Sequence, residues 1–370
     1  MSPATRNRGQ DMRLRTRIHD ALISFMRGSP HLGVAIGAWP ESAVSVDDAW
    51  VFAEGTTCWP HVSLPDRRTV WQIGSVTKTF TATMLAATVR DGRIDLVDTV
   101  EKFAPIGARL PCYTNWQGSI AIRFQDLATH TAGLPTDPAI VPAGGYSIPE
   151  MYQDLARYAL AVPPARNWNY SNVGFALLAH VLSTLANRES YEEMVRSLIV
   201  DLGLSLPDTT ITLDDDQRHR VALGFAAGKR APWRTSTWPA YAGSGGLYSS
   251  LDDMLEWLAY NLGLVASPGN DLLAMMQKVY FNDGLNIIGL GWQYAPLPTT
   301  SLRYLSKSGQ TNGFVSFVAM IREQRIGTVV LCNDSTMWPQ TLVEEVLRIL
   351  LGEGSPRDGT SNERTGLNLR

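Results

Sequence analysis

Ser75 and Lys78 stand three residues apart at the predicted start of a helix, in the pattern S-x-x-K. Residues at this spacing lie on the same face of a helix, so the lysine amine can reach the serine hydroxyl. A serine hydroxyl becomes a nucleophile when a base lies within hydrogen-bond distance. Burial and neighbouring cations can lower the pKa of a lysine enough for that role. Alone, the pattern more often marks a helix cap beside a solvated lysine.

Two further motifs follow the S-x-x-K pattern along the chain. Tyr170-Ser171-Asn172 precedes a strongly apolar stretch, and Lys307-Ser308-Gly309 lies in the last fifth of the chain. Each has an ordinary structural explanation when taken alone, as a buried tyrosine ahead of an apolar helix or as a surface turn. Their occurrence together, in this order, indicates a catalytic site.

The three motifs resemble those of the serine β-lactamase and penicillin-binding-protein superfamily. In its class C-like branch, of AmpC and AmpH type, a tyrosine replaces the serine of S-D-N. The AmpH-type members are D-Ala-D-Ala carboxypeptidase/endopeptidases, and the resemblance runs from about residue 30 to about residue 350. The segments that carry it are 71–82, 127–135, 169–175, 243–249, 289–292 and 307–314.

The resemblance implies a role for each residue of the first two motifs. Ser75 would be the nucleophile and Lys78 its base, while Tyr170 would be a second base that passes a proton to the leaving group. A phenol titrates near 10, so Tyr170 would need Lys78 and Lys307 nearby to stabilise its phenolate. Asn172 would hold Lys78 and donate to an amide carbonyl of the substrate.

The third motif is expected to form the binding side of the same site. Lys307 would add positive potential for a substrate carboxylate, which Ser308 would also bind. The strand that continues through Gly309 would pair with an extended acyl chain. The backbone N–H groups of Ser75 and Gln310 would form the oxyanion hole. The side chain of Gln310 is bulkier than the residue often found there.

Three other residues or groups are weaker candidates. Asn333 follows a predicted strand near the cleft and is expected to contact a substrate carboxylate. His130 suggests a general base, but the resemblance makes it a structural residue of its turn. Two interpretations stay open for Trp233, Trp238 and Tyr241: the lining of an aromatic acyl pocket, or packing in the core or at the surface.

Composition narrows the class of protein. The 370-residue chain is 45% hydrophobic and 18% charged, with a net charge of −3, which is typical of a globular enzyme large enough for two lobes. This charge argues against nucleic acid or an anionic membrane as a partner. The cysteines, Cys58, Cys112 and Cys332, are far apart and form no C-x-x-C pair, and no H-E-x-x-H motif occurs. We therefore expect no disulfide framework, no metal and no cofactor.

The N-terminal region shows no recognisable signal peptide, and no apolar run reaches the length of a membrane span. We therefore expect a cytoplasmic protein as the sequence stands, or a periplasmic or secreted one if a leader is missing. The substrate is expected to be a small molecule or peptide with a D-configured, β-lactam or ester carbonyl. The oligomeric state stays open.

Hydrophobic spacing predicts an α+β fold. A helix (12–27) and two strands (32–39, 49–54) open the chain. Three strands (302–308, 313–322, 326–333) and a helix (340–351) close it. This arrangement predicts an antiparallel sheet flanked by helices and built from both termini, with an inserted helical lobe. The predicted division is 1–104 with 246–352 for the sheet lobe, 105–245 for the helical lobe, and 353–370 for a disordered tail.

Together these features predict a serine acyl-enzyme hydrolase acting on D-Ala-D-Ala-type peptides or β-lactams. One alternative is an esterase, or an acyl-transferring peptide cyclase or thioesterase, on the same scaffold. Another is a penicillin-binding sensor that is acylated once and does not turn over. The motifs indicate the acylation chemistry and leave the acyl donor and acceptor open.

Overall fold

The structure is a computed structural model that describes residues 3–139, 145–231 and 238–352. Its largest sheet has eight strands in the order β2-β1-β14-β13-β12-β11-β10-β9, all paired antiparallel. The strands are β1 (Gly33–Trp39), β2 (Trp50–Gly55), β9 (Phe281–Asn282), β10 (Ile287–Ile288), β11 (Gln293–Pro296), β12 (Arg303–Gln310), β13 (Val315–Ile321) and β14 (Ile326–Cys332).

The sheet joins the two ends of the chain. β1 lies against β14, with Val34 opposite Cys332 and Trp39 opposite Gly327. Every residue of β1, β13 and β14 is buried, as expected for central strands covered on both faces. The predicted α+β fold, with a sheet built from both termini, is therefore confirmed.

Helices cover both faces of the sheet. On one face, α1 (Pro3–Phe25) and α11 (Gln340–Leu350) pack together and share a core with the strands. On the other face, α9 (Leu251–Leu262) contacts β1, β13 and β14. Aliphatic side chains point alternately to the two cores along each strand, so neither face of the sheet is left in water.

The remaining helices form a second layer beyond α9. They are α2 (Thr77–Arg90), α3 (Phe124–Ala128), α4 (Ile148–Arg157), α5 (Asn172–Leu185), α6 (Tyr191–Asp201), α7 (Asp215–Arg220), α8 (Ala242–Gly245) and α10 (Leu272–Gln277). Three two-stranded sheets link them: β3 (Val70–Gln72) with β8 (Tyr248–Ser250), β4 (Cys112–Asn115) with β5 (Gly118–Ala121), and β6 (Phe225–Ala226) with β7 (Lys229–Arg230).

Helix α2 occupies the centre of the molecule. It contacts α5, α8 and α10, and eleven of its residues are buried. Phe80 stacks on Trp257 with 3.9 Å between ring centroids, and the Trp257 indole donates to the Thr79 hydroxyl at 3.0 Å. A helix surrounded in this way has little freedom to move, so its first turn is a rigid support for reactive groups.

Several helices and strands were not predicted from the sequence. Strands β9 and β10 are two residues long, which is too short to show an alternating pattern. Helices α4 and α6 carry clear serine caps, Ser147 and Ser190, that accept from the third residue of each helix. These caps were the available signal. The predicted tail, 353–370, lies outside the described residues, and the lobe boundaries stay a prediction.

Within the described ranges, no helix is both long enough and apolar enough to cross a bilayer.

Candidate active site

Ser75 lies at the junction between β3 and α2. A short 3-10 turn, Gly74–Val76, connects the two elements and leads directly into the first turn of α2. The carbonyl of Ile73 accepts a hydrogen bond from the Ser316 hydroxyl at 2.7 Å. The turn is therefore fixed to β13 of the large sheet, and the half-buried Ser75 side chain has a defined position.

Strand β12 approaches this turn so closely that Gly309 is required there. A Cβ atom on Gly309 would lie 2.0 Å from the Ile73 oxygen and 2.9 Å from the Ser75 nitrogen. A Cβ atom on Gly74 would lie 2.8 Å from the Gln310 nitrogen. The amide nitrogens of Ser75 and Gln310 thus flank one narrow gap. Their proposed role as oxyanion donors fits this position and stays a prediction.

Lys78 is completely buried, one turn along α2 from Ser75. Its amine donates to Ser75 Oγ at 3.0 Å, to Asn172 Oδ1 at 2.7 Å and to the Ser244 carbonyl at 2.5 Å. Burial lowers the pKa of this amine well below its ordinary value, and the charge of Lys307 lowers it further, while Asp137 acts in the opposite direction. When the lowered pKa leaves the amine neutral at physiological pH, its two N–H groups serve Asn172 and Ser244, and its lone pair can accept the proton of Ser75.

Tyr170 lies on the other side of the serine oxygen. Its hydroxyl donates to Ser75 Oγ at 2.7 Å. The amines of Lys78 and Lys307 lie 5.0 Å and 4.8 Å from the centroid of its ring. Burial nevertheless raises the pKa of the Tyr170 phenol above its ordinary value. The two amines are nearby as expected, but desolvation raises the pKa of Tyr170 more than its hydrogen bond to Ser75 lowers it, and the charge of Asp137 raises it further, so the resting phenol keeps its proton.

Lys307 lies in β12 and is 8% exposed. Burial lowers the pKa of its amine to about 7. Near neutral pH this side chain is therefore divided between a charged and an uncharged form, and a bound anion would favour the charged one.

Asn172 begins α5, whose first turn is capped by the Ser171 hydroxyl. Its two side-chain atoms have different partners, since Oδ1 accepts from Lys78 and Nδ2 donates to Asp137 Oδ1 at 3.0 Å. The second motif predicted that Asn172 lies beside Lys78, whereas Asp137 was not among the predicted site residues. The available signal was its place just after the 127–135 segment, two residues beyond Pro135.

These residues open onto a cleft of about 440 Å³. Strand β11 pairs with β12 as far as Ser306, and within the described residues the next part of that edge, from Lys307 to Gln310, carries no further strand. The free edge suits the predicted pairing with an extended chain. The cleft is lined by Ser75, Trp168, Tyr170, Asn172, Gln293, Ala295, Tyr304, Ser306, Lys307, Ser308, Gln310, Phe317, Trp338 and Gln340.

The Gln310 side chain turns away from Ser75. Its amide nitrogen donates to the Ser335 carbonyl at 2.7 Å, so the side chain connects β12 to the loop before α11. The predicted substrate-binding residues Ser308 and Gln310 both lie in the cleft, and Gly309 shapes it from within β12.

His130 lies behind Tyr170, away from the serine. Its ring centroid is 4.3 Å from that of Tyr170, and its Nδ1 atom accepts from the Ser171 amide at 3.1 Å. Burial lowers the pKa of His130 well below its ordinary value, with the charges of Lys307 and Lys78 acting in the same direction. A neutral imidazole that supports the tyrosine ring agrees with the structural role suggested by the sequence.

Asn333 is corrected by the structure. It is completely buried, where its side chain accepts from the Gly33 amide at 2.6 Å and donates to the Thr56 carbonyl at 2.9 Å. Both functional ends of the amide are occupied by the backbone of β1 and the residue after β2. The predicted contact of Asn333 with substrate is therefore wrong, because a residue at the end of a central strand had to satisfy buried backbone groups.

The proposed aromatic acyl pocket finds no support as a lining of this cleft. Trp233 lies outside the described residues. Trp238 and Tyr241 contact each other with 5.5 Å between ring centroids and are absent from the cleft lining. In contrast, Trp168 lines the cleft and was not singled out from the sequence. Across the described ranges, no group of three His, Cys, Asp or Glu side chains is placed to hold a metal ion.

Replacing Asn333 with alanine should destabilise the fold. The change leaves the Gly33 amide and the Thr56 carbonyl buried without these partners, which is expected to cost roughly 2–4 kcal/mol of unfolding free energy. Urea denaturation measures this loss. Asn312→Ala, at an exposed asparagine, should stay within about 0.5 kcal/mol of the wild type. Equal stabilities of the two variants would show that Asn333 has no such structural role.

Comparison with known proteins identifies the family of this chain. The family model described as Beta-lactamase matches residues 24–350. The D-alanyl-D-alanine-carboxypeptidase/endopeptidase AmpH of Escherichia coli (strain K12) is 29% identical over 294 residues, covering 74% of this chain and 73% of that protein. A beta-lactamase of Psychrobacter immobilis is 24% identical, covering 74% of this chain and 72% of that protein.

Solved structures agree with this match. A beta-lactamase/D-alanine carboxypeptidase from Yersinia pestis, complexed with citrate, superposes with a TM-score of 0.75 at 26% identity, covering 90% of this chain and 97% of that one. A class C beta-lactamase superposes with a TM-score of 0.79 at 18% identity, covering 93% and 98%, which speaks for the fold alone. The chain belongs to the beta-lactamase family and is a serine hydrolase.

Proposed function

We propose that the chain hydrolyses D-Ala-D-Ala-type peptides or β-lactams through an acyl-enzyme on Ser75. One observation carries the proposal: Ser75 Oγ is hydrogen-bonded at once to the Lys78 amine and to the Tyr170 hydroxyl, at 3.0 Å and 2.7 Å. A serine oxygen with a buried amine on one side and a phenol on the other can give its proton to the amine, while the phenol donates a proton to the leaving group.

Acylation follows from these contacts. Ser75 Oγ attacks the substrate carbonyl carbon and its proton passes to the neutral Lys78 amine. The amides of Ser75 and Gln310 stabilise the resulting oxyanion. Tyr170 then gives its hydroxyl proton to the leaving nitrogen or oxygen as the carbonyl–leaving group bond breaks, and the proton held by Lys78 restores the phenol. Water enters in the second half of the reaction and releases the acyl group by the same proton transfers.

The proposed substrate class is supported by the position of Lys307 and Ser308 and by the names of the relatives. Lys307 and Ser308 border the cleft beside Tyr170, where a carboxylate of the leaving portion would meet a cation and a hydroxyl. The names of the AmpH and Yersinia pestis relatives refer to D-alanine carboxypeptidases, and other relatives are named beta-lactamases.

A second candidate, an esterase with an uncharged leaving group, is favoured by the outer part of the cleft. Tyr304, Phe317 and Trp338 form an aromatic wall there, and Lys307 is the one cationic side chain among the described lining residues. Behind the wall, the buried Glu344 carboxylate accepts from the Tyr304 hydroxyl at 2.9 Å. A negative charge in this position opposes a second anion, so a neutral leaving group would fit the wall well.

Covalent labelling tests the nucleophile. Ser75→Ala should abolish labelling by a fluorescent penicillin and by a fluorophosphonate, because no hydroxyl remains at the reacting position, and Ser308→Ala should still be labelled. Intact-mass measurement locates the adduct and shows whether it is released. Labelling of Ser75→Ala at the wild-type rate would remove Ser75 as nucleophile, and an adduct that persists would favour the sensor alternative.

Substitutions distinguish the proton-transfer roles of Lys78 and Tyr170. Lys78→Ala and Tyr170→Phe should each lower the acylation rate by about 10²–10⁴-fold, the usual range for a positioned acid–base group. Stopped-flow acylation with a chromogenic β-lactam gives the rate. A near-normal rate in Tyr170→Phe would mean that Lys78 transfers the proton in both directions.

The pKa of Lys307 gives a pH dependence of known sign. The amine is charged below its pKa of about 7 and neutral above it, so its contribution to binding a carboxylate is present at low pH and lost as the pH rises. The ratio of kcat/KM for a carboxylate-bearing substrate to that for a neutral ester should therefore fall about tenfold from pH 6 to pH 8. Taking the ratio cancels the titration of Lys78, which both substrates share.

Lys307→Ala is the control for this measurement and should make the ratio independent of pH. A wild-type ratio that stays constant between pH 6 and pH 8 would remove the carboxylate-binding role of Lys307 and favour the esterase candidate.

A further inference from the structure

The Ser244 carbonyl that accepts from Lys78 belongs to α8, a helix of four residues. A helix this short is marginal by itself, so contacts with neighbouring elements must hold its carbonyl groups in place. On one side α8 packs tightly against α5, because a Cβ atom on Gly243 would lie 2.1 Å from the Ala179 Cβ atom. The contacts between α8 and α2 then decide where the Ser244 carbonyl lies relative to the Lys78 amine.

Two threonines of α2 are hydrogen-bonded to the two ends of α8. Thr81 Oγ1 donates to the Gly243 carbonyl at 2.7 Å. Thr77 Oγ1 accepts from the amide of Leu247, just beyond α8, at 3.2 Å. Residues four apart lie on the same face of a helix, so both hydroxyls face α8. The carbonyl that accepts from the base lies between these two attachment points.

The direction of the hydrogen bond from Thr81 is set by Tyr191, at the start of α6. The Tyr191 hydroxyl lies 2.7 Å from Thr81 Oγ1. A threonine hydroxyl has one hydrogen, and Thr81 uses it for the Gly243 carbonyl, so Tyr191 must be the donor of this pair. The hydrogen bonds therefore run from Tyr191 through Thr81 to Gly243, and the next carbonyl along the chain, that of Ser244, faces Lys78.

This chain of hydrogen bonds is buried. Thr81 is completely buried and Tyr191 is 8% exposed. Burial raises the pKa of the Tyr191 phenol, so the tyrosine keeps the proton that it donates. Hydrogen bonds away from water are strong, and leaving one partner unsatisfied there is costly. Neither Thr81 nor Tyr191 lines the cleft of Ser75, and the reaction steps described above give them no role.

The charged and titratable groups around Lys78 come from several elements. Lys307 in β12 and Asp137 after α3 act on its pKa in opposite directions. The Tyr170 ring lies 5.0 Å from its amine, and the charge of Lys78 also acts on His130. Among these groups the α8 carbonyl is an uncharged acceptor. It favours the charged form of the amine, and in the neutral form it fixes the direction in which the lone pair points.

We propose that Thr81, oriented by Tyr191, is a positioning residue for the Lys78 base. Its hydroxyl holds α8 so that the Ser244 carbonyl stays against the amine. The lone pair of the neutral amine is then directed at Ser75 Oγ. Thr81 and Tyr191 do not touch the substrate and act through α8. This inference rests on the proposed acyl-enzyme chemistry of Ser75 and identifies what supports its base.

The test measures the rate of Ser75 labelling by a neutral fluorophosphonate as a function of pH. This reagent has no carboxylate, so it needs no anion binding by Lys307. Thr81→Val removes the hydroxyl at similar volume. It should lower the maximal labelling rate about tenfold to a hundredfold, the effect of a misdirected base, and leave the half-saturating reagent concentration nearly unchanged. The acidic limb should move to lower pH by about half a unit, because the ammonium loses a fixed acceptor.

Thr83→Val is the matched control. Thr83 is a completely buried threonine of the same helix, and its hydroxyl donates to the Thr79 carbonyl within α2 at 2.7 Å. This variant should keep the wild-type rate and pH profile. Thr81→Ser retains the hydroxyl and should restore both. Tyr191→Phe leaves Thr81 able to donate to α8, so it should change the profile in the same direction as Thr81→Val by a smaller amount.

Three outcomes would overturn the proposal: a wild-type rate and pH profile in Thr81→Val, equal changes in Thr81→Val and Thr83→Val, or no recovery in Thr81→Ser. Circular dichroism shows whether each variant is folded. Should Thr81→Val not fold, Tyr191→Phe decides, and a wild-type profile in that variant contradicts the proposal. A wild-type protein without a Ser75 adduct by intact mass would instead refute the acyl-enzyme chemistry, so the two failures are distinguished.

Discussion

The side chain of Lys78 carries an amine into a part of the molecule that has no contact with solvent, and the surrounding structure is arranged to receive it. A buried amine is costly unless its hydrogen-bonding groups are satisfied. Here three polar groups from three elements converge on it: Ser75 in the turn before α2, Asn172 at the start of α5 and the Ser244 carbonyl in α8. The packing of α2 against α5 and α8 therefore serves a polar requirement as much as an apolar one.

The same burial explains why the site is reactive. Removal from water lowers the pKa of Lys78 well below its ordinary value and that of Lys307 to about 7, and it raises the pKa of Tyr170. The lysine amines are therefore more often neutral near pH 7 and free to accept a proton, while the tyrosine keeps its phenolic proton. Desolvation is the largest cause of each shift, so one structural feature acts on the groups on both sides of the serine.

Rigid backbone contacts maintain this arrangement. Ser316 fixes the turn before Ser75 to the sheet, and the absence of a side chain at Gly309 lets β12 approach the Ser75 amide. The loop after β14 is tied to β12 through the Gln310 side chain. Strands of the sheet thus hold the Lys307 side of the cleft, helices hold Lys78, and Ser75 lies at the junction of the two.

The sequence by itself determined much of this protein. Long strands such as β13 and β14, the apolar helix α5 and the three motifs were evident because local periodicity and short spacing encode them. Ser75 and Lys78 are close for a purely local reason, the helical repeat. The family, the α+β fold and the serine-hydrolase chemistry followed from these features.

Tertiary structure decided what depends on residues far apart in the chain. Asn333 looked like a cleft residue, yet buried backbone groups of β1 and of Thr56 claimed its side chain. The protonation of Tyr170 depended on the balance between desolvation and its hydrogen bond to Ser75, which no spacing reveals. Asp137 lies beside the reacting groups because it accepts a hydrogen bond from Asn172, 35 residues away. Burial and long-range hydrogen bonds are properties of the folded chain, so the sequence named the reactive residues and the fold set their charges and partners.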